Sequence, residues 1–255
     1  MIFELAFGIG ATIILIAFVS EYVDSTLGMG YGTTLTPVLL LMGFEPLQIV
    51  PIVLVSEAIT GATAAATHFK IGNVNFNLND RPIRIAAILS ACSIVGTVVA
   101  VFLAVSIPTF YIKLYIGVLV LVMGLFILLK RPNKDGFAWK KIVGLGLLAS
   151  FNKGVSGGGY GPVVTSGQIL SGVDEKSSIG ITSFAESLTC VVGILAYFII
   201  GNAMDWVLLP YLVTGALLSV PFSVYSVKVI TTKNLRFMIA TSTILLGLFC
   251  LVKIL

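Results

Sequence analysis

Ten apolar segments, separated by short polar stretches, follow one another along the chain. They cover residues 5–27, 31–43, 46–69, 82–105, 109–130, 139–154, 160–172, 175–200, 206–227 and 234–254. Several of them reach the roughly 18–20 residues that a helix needs to cross a bilayer. A membrane-spanning β-strand would instead alternate polar and apolar residues. The pattern therefore predicts an all-α, polytopic membrane protein.

The composition supports this class and argues against a soluble enzyme. Only 10% of the residues are charged, whereas a soluble domain has about 25%. The sequence contains no nucleotide-binding loop of the G-x-x-x-x-G-K-[ST] type and no cluster of residues at metal-ligand spacing. We therefore expect no enzymatic activity, no cofactor and no metal centre. Cys92, Cys190 and Cys250 are expected to act as small buried hydrophobic residues.

The chain contains an internal duplication. A shift of 129 residues aligns residues 28–73 with 157–202 without a gap. The identical pairs include Gly28/Gly157, Gly30/Gly159, Tyr31/Tyr160, Gly32/Gly161, Thr36/Thr165, Glu57/Glu186 and Thr60/Thr189. Each half has five apolar segments, and because five is odd, the second half must enter the membrane in the opposite orientation. We predict two inverted-topology repeats, residues 1–130 and 139–255, joined by a basic linker at 131–138.

The distribution of basic residues supports this topology. Five lysine and arginine residues lie in the connection 130–141, and cytoplasmic loops are rich in such residues. We therefore place this loop in the cytoplasm, both termini outside, and the chain in the inner (plasma) membrane. The net charge of +4 is then explained by basic residues in the cytoplasmic loops, so it does not indicate a nucleic-acid partner. The sequence leaves open whether copies of the chain form a homo-oligomer.

Two glycine runs, "GMGYG" at 28–32 and "GGGYG" at 157–161, interrupt the apolar segments at equivalent positions. The segments that follow, 31–43 and 160–172, would form helices of only roughly 20 Å, whereas the hydrocarbon core is ~30 Å thick. A break inside a membrane is tolerated only where protein or a water-filled cavity satisfies the freed backbone groups. Freed amides at a helix N-terminus favour an anion. Two inverted breaks would meet near the midplane, where secondary transporters bind their substrates.

The glycine runs and their neighbours are therefore candidates for binding a small anion. The candidates within the runs are Gly28, Gly30, Tyr31, Gly32, Gly157, Gly158, Gly159, Tyr160 and Gly161. The side-chain candidates beside them are Thr33, Thr34, Lys153, Ser156 and Thr165. A potassium-channel filter also contains Gly-Tyr-Gly, but it needs parallel rings of carbonyls, which two inverted copies in one chain do not form. Close helix packing through small residues is the other alternative for the glycines.

Charged residues inside the apolar segments are functional candidates, because a charge within the bilayer is expensive. Glu57 and Glu186 lie at equivalent positions, and they either couple transport to protons or support the helix breaks. Asp24 and Lys153 are also equivalent but opposite in sign. They either pair with each other, or Lys153 attracts the anion while Asp24 sets its orientation.

Two further polar residues lie close to these candidates. His68, the only histidine, lies near the end of the third segment, where it either relays protons or simply occupies the interface. Glu21 lies on a helix face that would line the same cavity. The full set of coupling candidates is Glu57, Glu186, Asp24 and His68.

The chain resembles a known family in two motifs, "EYVDSTLGMGYGTTLTPVLLLMGFEP" at 21–46 and "FNKGVSGGGYGPVVTSGQILSGV" at 151–173. With the size and the five-plus-five layout, these motifs are similar to the TauE/SafE sulfite exporter family, also described as the 4-toluene sulfonate uptake permease group. The resemblance covers essentially the whole chain. It implies a secondary transporter of sulfur-containing anions in the bacterial cytoplasmic membrane, with sulfite, sulfonates such as sulfoacetate, or thiosulfate as substrates. About eight spans are usual for the family, a number that would fit if some of the short segments are re-entrant; whether 31–43 and 160–172 span or are re-entrant stays open.

The sequence thus leads to one functional hypothesis and one alternative. The hypothesis is a secondary transporter, coupled to protons or another ion, that moves a small sulfur-containing anion across the lipid bilayer by alternating access. The alternative is a cation channel, or a cation-coupled carrier of another small solute, in which Glu57 and Glu186 bind the cation.

Overall fold

The fold is all-α in the part of the chain that the computed structural model describes, which comprises residues 2–42, 44, 46–77, 79–104, 109–129, 137–199 and 206–252. The helices are α1 (Ile2–Leu27), α2 (Tyr31–Leu41), α3 (Pro46–Ile71), α4 (Arg81–Ala104), α5 (Thr109–Leu129), α6 (Trp139–Ser156), α7 (Tyr160–Leu170), α8 (Glu175–Ile199), α9 (Leu209–Val229) and α10 (Thr232–Val252). Each predicted apolar segment corresponds to one of these helices, and the two sets of boundaries differ by only a few residues. The prediction of an all-α membrane protein is confirmed.

Five helices among the described residues are long and apolar enough to cross a membrane. The stretches that qualify are Gly10–Leu27, Ile49–Ile71, Arg81–Val101, Glu175–Ile199 and Leu209–Val229. By contrast, α2 and α7 have 11 residues each, which corresponds to about 16 Å of helix. Helices this short do not cross a hydrocarbon core of about 30 Å, as their sequence segments predicted.

The packing of the helices follows the internal duplication. Under the 129-residue shift, α1 to α5 correspond to α6 to α10 in order. Helix α4 packs on α6 as α9 packs on α1, and α4 packs on α8 as α9 packs on α3. Two pairs of equivalent helices, α3 with α8 and α5 with α10, also pack on each other. This pattern is the one expected of two copies related by an approximate two-fold axis.

The orientation of the repeats relative to the bilayer stays a prediction. Most of the basic connection, residues 130–136, and the loop at 201–205 lie outside the described residues. The division of the chain into a first repeat, a linker and a second repeat also stays a prediction for this reason.

Each short helix is enclosed by several long helices. In α2, Tyr31, Leu35 and Leu39 pack in a buried apolar cluster with residues of α1 and α3. The same cluster includes residues of α9 and Leu208, which directly precedes that helix. In α7, Tyr160 and Val163 pack in the same way against α6, α8 and α4, which are the equivalent helices of the repeat. The ends of the short helices are therefore buried in protein, which is the condition for a helix break inside a membrane.

The two glycine runs adopt matching backbone conformations. Gly28 and Gly157 follow the ends of α1 and α6 with φ of 71° and 70°, a left-handed conformation that suits glycine at a helix C-terminus. Gly30 and Gly159 also have positive φ, at 133° and 76°, directly before α2 and α7. The equivalent glycines thus end one helix and begin the next within a few residues.

The glycine runs also contact each other. A Cβ atom on Gly32 would overlap the carbonyl oxygen of Gly157, and one on Gly161 would overlap that of Gly28. The amide of Gly159 donates to Thr33 Oγ1 at 3.2 Å. Two backbones approach this closely only where neither has a side chain, so these glycines have a packing role in addition to their role at the helix ends.

We predict that the substitution Gly32→Ala lowers the free energy of unfolding by about 1–3 kcal/mol or more, because the added methyl group overpacks a backbone contact. The matched control is Gly144→Ala in α6, where an added Cβ atom meets nothing within 4 Å. There alanine should stabilise the helix by about 0.5–1 kcal/mol. Unfolding of the purified proteins in detergent measures both effects. A Gly32→Ala protein as stable as the wild type would show that the two runs do not touch.

Candidate functional site

Five ionisable side chains lie together next to the helix breaks. Glu21 and Asp24 come from α1, Glu57 from α3, Lys153 from α6 and Glu186 from α8. None of them is more than 7% exposed. A buried charge is unfavourable unless it is paired and hydrogen-bonded, so the contacts within this cluster define what the site can do.

Lys153 is the positive centre of the cluster. Its Nζ atom donates to Glu57 Oε2 and, at 2.9 Å, to Glu186 Oε1. The two carboxylates lie at equivalent positions of the two repeats, so the lysine bridges the halves of the protein. The carbonyl of Lys153 also accepts a hydrogen bond of 2.8 Å from the amide of Gly157. The bridge is therefore attached directly to the second helix break.

Asp24 occupies the N-terminal end of α2. Its Oδ1 atom accepts a hydrogen bond of 3.1 Å from the amide of Tyr31, the first residue of the helix. A carboxylate is favourable there because amides and the helix dipole give that end a partial positive charge. Lys153 takes the equivalent position in the second half, and within the described residues α7 begins without a side-chain N-cap.

The pairing of Asp24 with Lys153, one of the two alternatives from the sequence, is not among the ion pairs of the described residues. Lys153 pairs with Glu57 and Glu186 instead. Asp24 nevertheless lies close, because one carboxylate oxygen from each of Asp24, Glu57 and Glu186 lies within 4.8 Å of the others. These three carboxylates come from three separate helices and show no short spacing, so their proximity to one another has no local sequence signature.

Glu21 lies in the cluster but has no basic partner in the part of the chain that the structure describes. Its two carboxylate oxygens accept hydrogen bonds from Ser25 Oγ at 2.5 Å and Thr60 Oγ1 at 3.1 Å. In the second half Ser150 takes the equivalent position, and its Oγ atom donates to Ser93 Oγ at 3.2 Å. The first half thus places a carboxyl group where the second half has a neutral hydroxyl group.

The threonines beside the glycine runs hold the two runs together. Thr33 Oγ1 accepts from the amide of Gly159, while Thr165 Oγ1 donates to the carbonyl of Gly28 at 2.8 Å. Residues 28–32 and 157–161 are all buried. In this conformation the runs contact each other directly, so their role in binding an anion stays a prediction. Thr34 is partly buried, and the side chain of Ser156 lies outside the described part of the structure.

The tyrosines of the two runs point into the protein core. Tyr31 and Tyr160 are both 0% exposed, and each belongs to the apolar cluster around its short helix. The hydroxyl group of Tyr31 forms a hydrogen bond of 2.6 Å with Ser56 Oγ, directly before Glu57 in the chain. Tyr31 therefore connects the start of α2 to the segment of α3 that carries the carboxylate.

His68 makes hydrogen bonds through both ring nitrogens. Its Nδ1 atom is 3.0 Å from Asn73 Nδ2, a donor, so Nδ1 accepts and Nε2 donates to the carbonyl of Ser25 at 3.1 Å. Asn73 also donates to the carbonyl of Val224 in α9. The ring thus links α3 to the end of α1 just before the first break. This arrangement favours a structural role for His68 over proton relay.

Cys190 belongs to the site, although the sequence suggested only a small buried hydrophobic residue. Its thiol donates to Glu57 Oε2 over 3.7 Å, and the residue is 0% exposed. The signal that could have found it is its position four residues after Glu186, because residues i and i+4 lie on the same face of a helix. The described side chains of Cys92 and Cys190 are both free thiols.

We predict that Lys153→Met lowers the free energy of unfolding by about 3–5 kcal/mol, because it leaves buried carboxylates without their cation. Combining it with Glu57→Gln and Glu186→Gln should recover most of this loss, since no unpaired charge then remains at the bridge. Lys140→Met, on the exposed surface of α6, is the control and should change stability by less than about 0.5 kcal/mol. An equal loss in the single and triple variants would contradict the ion-pair explanation.

Comparison with known proteins agrees with the resemblance in the two glycine motifs. The family model described as "Sulfite exporter TauE/SafE" matches residues 13–250. The chain is also 27% identical over 227 residues to the "Probable membrane transporter protein YtnM" of Bacillus subtilis (strain 168), which covers 84% of this chain and 73% of the relative. No solved structure matches the chain. The chain belongs to the TauE/SafE sulfite exporter family of membrane transporters.

Proposed function

We propose that this protein is a secondary transporter that moves small sulfur-containing anions across the cytoplasmic membrane by alternating access, coupled to protons or another ion. Membership of the family supports membrane transport. The family's description as sulfite exporters supports the substrate class, for which sulfite, sulfoacetate and thiosulfate are the candidates. The name of the Bacillus relative specifies no substrate.

The observation that carries this proposal is the buried ion bridge at Lys153. Its ammonium group contacts oxygen atoms of Glu57 and Glu186, and the lysine is only 1% exposed. An ammonium group has three N–H donors and no acceptor, so it suits the oxygen atoms of a sulfite or sulfonate group as well as those of a carboxylate. The site therefore contains one fixed positive charge that is already arranged for oxyanion contacts.

The contact between the glycine runs supports alternating access. Gly32 lies against Gly157 and Gly161 lies against Gly28, and the hydrogen bonds of Thr33 and Thr165 join the two backbones at these points. Each run continues into a short helix enclosed by helices of both halves. A rocking movement of one repeat against the other, the usual mechanism for inverted repeats, would separate the runs and open the ion bridge to one side.

The direction of insertion is part of the same proposal. The basic connection at 130–141 favours a cytoplasmic location for this loop, with both termini outside. The two short helices would then lie within the membrane as re-entrant or half-spanning elements.

A cation-coupled carrier is the second candidate, and the carboxylate cluster favours it. Oxygen ligands of one Ca²⁺ ion lie 2.3–2.6 Å from it, so two of them are at most roughly 5 Å apart. The oxygens of Asp24, Glu57 and Glu186 lie within 4.8 Å of one another, which fits this limit. Lys153 argues against a resident cation, because its ammonium group already contacts two of the three carboxylates.

Ligand-induced stabilisation separates the two candidates. We predict that sulfite, sulfoacetate or thiosulfate, at about a hundred times its Kd, stabilises the folded protein by about 2.7 kcal/mol. Thermal unfolding in detergent, with sodium, potassium and calcium chloride in parallel, provides the measurement. Stabilisation by one of the cations but by none of the three anions would replace the anion hypothesis with the cation carrier.

Flux measurements in proteoliposomes test the transport function itself. We predict uptake of labelled sulfite or sulfoacetate that responds to an imposed pH gradient. Lys153→Gln should lower the apparent affinity by about 10-fold to 100-fold, because one charge-assisted contact contributes about 1.5–3 kcal/mol. Lys140→Gln is the matched control and should leave the flux unchanged. Protein that shows no uptake of either anion while its ligand-free fold is intact would refute the proposed function.

A further inference from the structure

The ion bridge lies in a cluster with more acidic than basic groups. The titratable side chains that face it from the surrounding helices are Glu21 and Asp24 of α1, Tyr31 of α2, Glu57 of α3, Lys153 of α6, Tyr160 of α7, and Glu186 and Cys190 of α8. Four of them are carboxyl groups, and Lys153 is the one amine among the described residues of the cluster. Because all are buried, four charged carboxylates beside one ammonium group are energetically unfavourable without further positive charge nearby.

The hydrogen bonds divide the carboxyl groups into two kinds. Glu21 and Asp24 are held by neutral donors, the hydroxyl groups of Ser25 and Thr60 and the amide of Tyr31. Glu57 and Glu186 are held by Lys153. A change at the lysine therefore acts on these two glutamates first.

Glu57 has an unsatisfied oxygen atom. Its Oε2 atom contacts Lys153 and the thiol of Cys190, while its buried Oε1 atom has no hydrogen-bond partner among the residues that the structure describes. A buried acceptor without a donor is unfavourable. A proton on Glu57 would turn this carboxylate into a hydrogen-bond donor. If an oxyanion lay beside it, the unsatisfied acceptor would be replaced by a donor with a partner.

An anion that reaches Lys153 meets the two glutamates. An oxyanion in contact with Nζ lies within a few ångströms of both carboxylates, and like charges repel strongly where water is excluded. A protonated carboxyl group has no net charge and presents an O–H donor. It therefore contributes a hydrogen bond to the anion where the carboxylate would repel it.

We propose that a substrate anion replaces the carboxylate of Glu57 or Glu186 at Lys153, or both when the anion carries two charges, and that each displaced carboxylate binds a proton in the same event. This inference rests on the proposed anion transport and specifies its coupling ion. The carboxylate takes one proton from water and becomes a carboxyl group, while the anion takes its place beside the ammonium group. When the anion leaves, the carboxyl group releases the proton and returns to Lys153. One proton is bound for each negative charge of the anion, so the charge of the site is unchanged. A singly charged anion requires one of the two glutamates, and a doubly charged anion requires both.

Isothermal titration calorimetry of the full-length protein in detergent tests the exchange. The probes are thiosulfate and sulfoacetate, because neither takes up a proton itself near neutral pH, whereas sulfite does. Titrations in buffers of different ionisation enthalpy give the number of protons bound with each anion. Because both probes carry two negative charges near neutral pH, we expect about two protons per anion, and the Kd should rise about tenfold per pH unit for each proton bound.

Glutamine variants assign the proton to its residues. Glutamine is permanently neutral and keeps an N–H donor, so the double variant Glu57→Gln and Glu186→Gln should bind the probe with no proton uptake and with a Kd independent of pH. Each single variant should reduce the proton uptake, and this comparison decides the point if the double variant does not fold. Asp80→Asn, which changes a carboxylate next to α4 and outside the cluster, is the control and should retain the wild-type pH dependence.

The outcomes separate the exchange from the proposed function. Binding of thiosulfate or sulfoacetate to the wild type without proton uptake would overturn the exchange and leave anion transport intact. The same proton uptake in the wild type and in both single glutamine variants would also overturn it. If neither these two anions nor sulfite binds the folded wild type, anion transport is wrong, and the exchange is wrong with it.

Discussion

A helix that ends inside a membrane must have its free backbone groups satisfied by protein, and this constraint determines the centre of the structure. Here each break satisfies the other. The amide of Gly159 donates to Thr33 Oγ1, and the carbonyl of Gly28 accepts from Thr165 Oγ1. The reciprocal bonds require the two backbones to approach closely, which explains why glycines occur at equivalent positions of both halves. The long helices around each short helix then exclude lipid from the breaks.

The duplication gives one backbone arrangement and two different charge patterns. The first half has Glu21 and Asp24 on α1, whereas the second half has Ser150 and Lys153 at the equivalent positions of α6. Asp24 supplies a carboxylate to the N-terminus of α2, and its counterpart, the lysine, instead reaches the two equivalent glutamates. Symmetry therefore positions the helices, and divergence at two helical positions gives the site its single positive charge. A strictly symmetric duplication would have placed either two lysines or two aspartates there.

The sequence predicted the helices and the breaks because both are determined locally. Apolar segment length defines the helices, and a glycine run in an apolar context marks each break, so the boundaries agree within a few residues. Membership of the cluster was also predictable for Glu57 and Glu186, since the repeat and their depth in the segments single them out. The choice of partners was not predictable. Lys153 could have paired with Asp24, and only the fold, which brings the side chain of Lys153 to Glu57 of α3 and Glu186 of α8, places its ammonium group at the glutamates.

Other features depend on contacts between residues far apart in sequence. His68 is held by Ser25 and Asn73, and these hydrogen bonds favour a structural role over proton relay. Cys190 reaches Glu57 across the interface of α3 and α8. Neither contact has a sequence signature of its own, because each requires that two helices lie side by side in one register.

The bridge at Lys153 also bears on how tightly a substrate could bind. Two carboxylates fixed beside the ammonium group are permanent competitors for it, at an effective concentration that a dissolved anion reaches only with difficulty. In the proposed transport cycle, this competition would weaken anion binding relative to a free buried lysine, and it would also assist release, because the carboxylates would return to the lysine as the anion departs. A transporter needs binding strong enough for entry and weak enough for exit, the balance that also governs conduction through channels. A lysine with acidic partners of its own achieves this balance without ever leaving a buried positive charge unpaired.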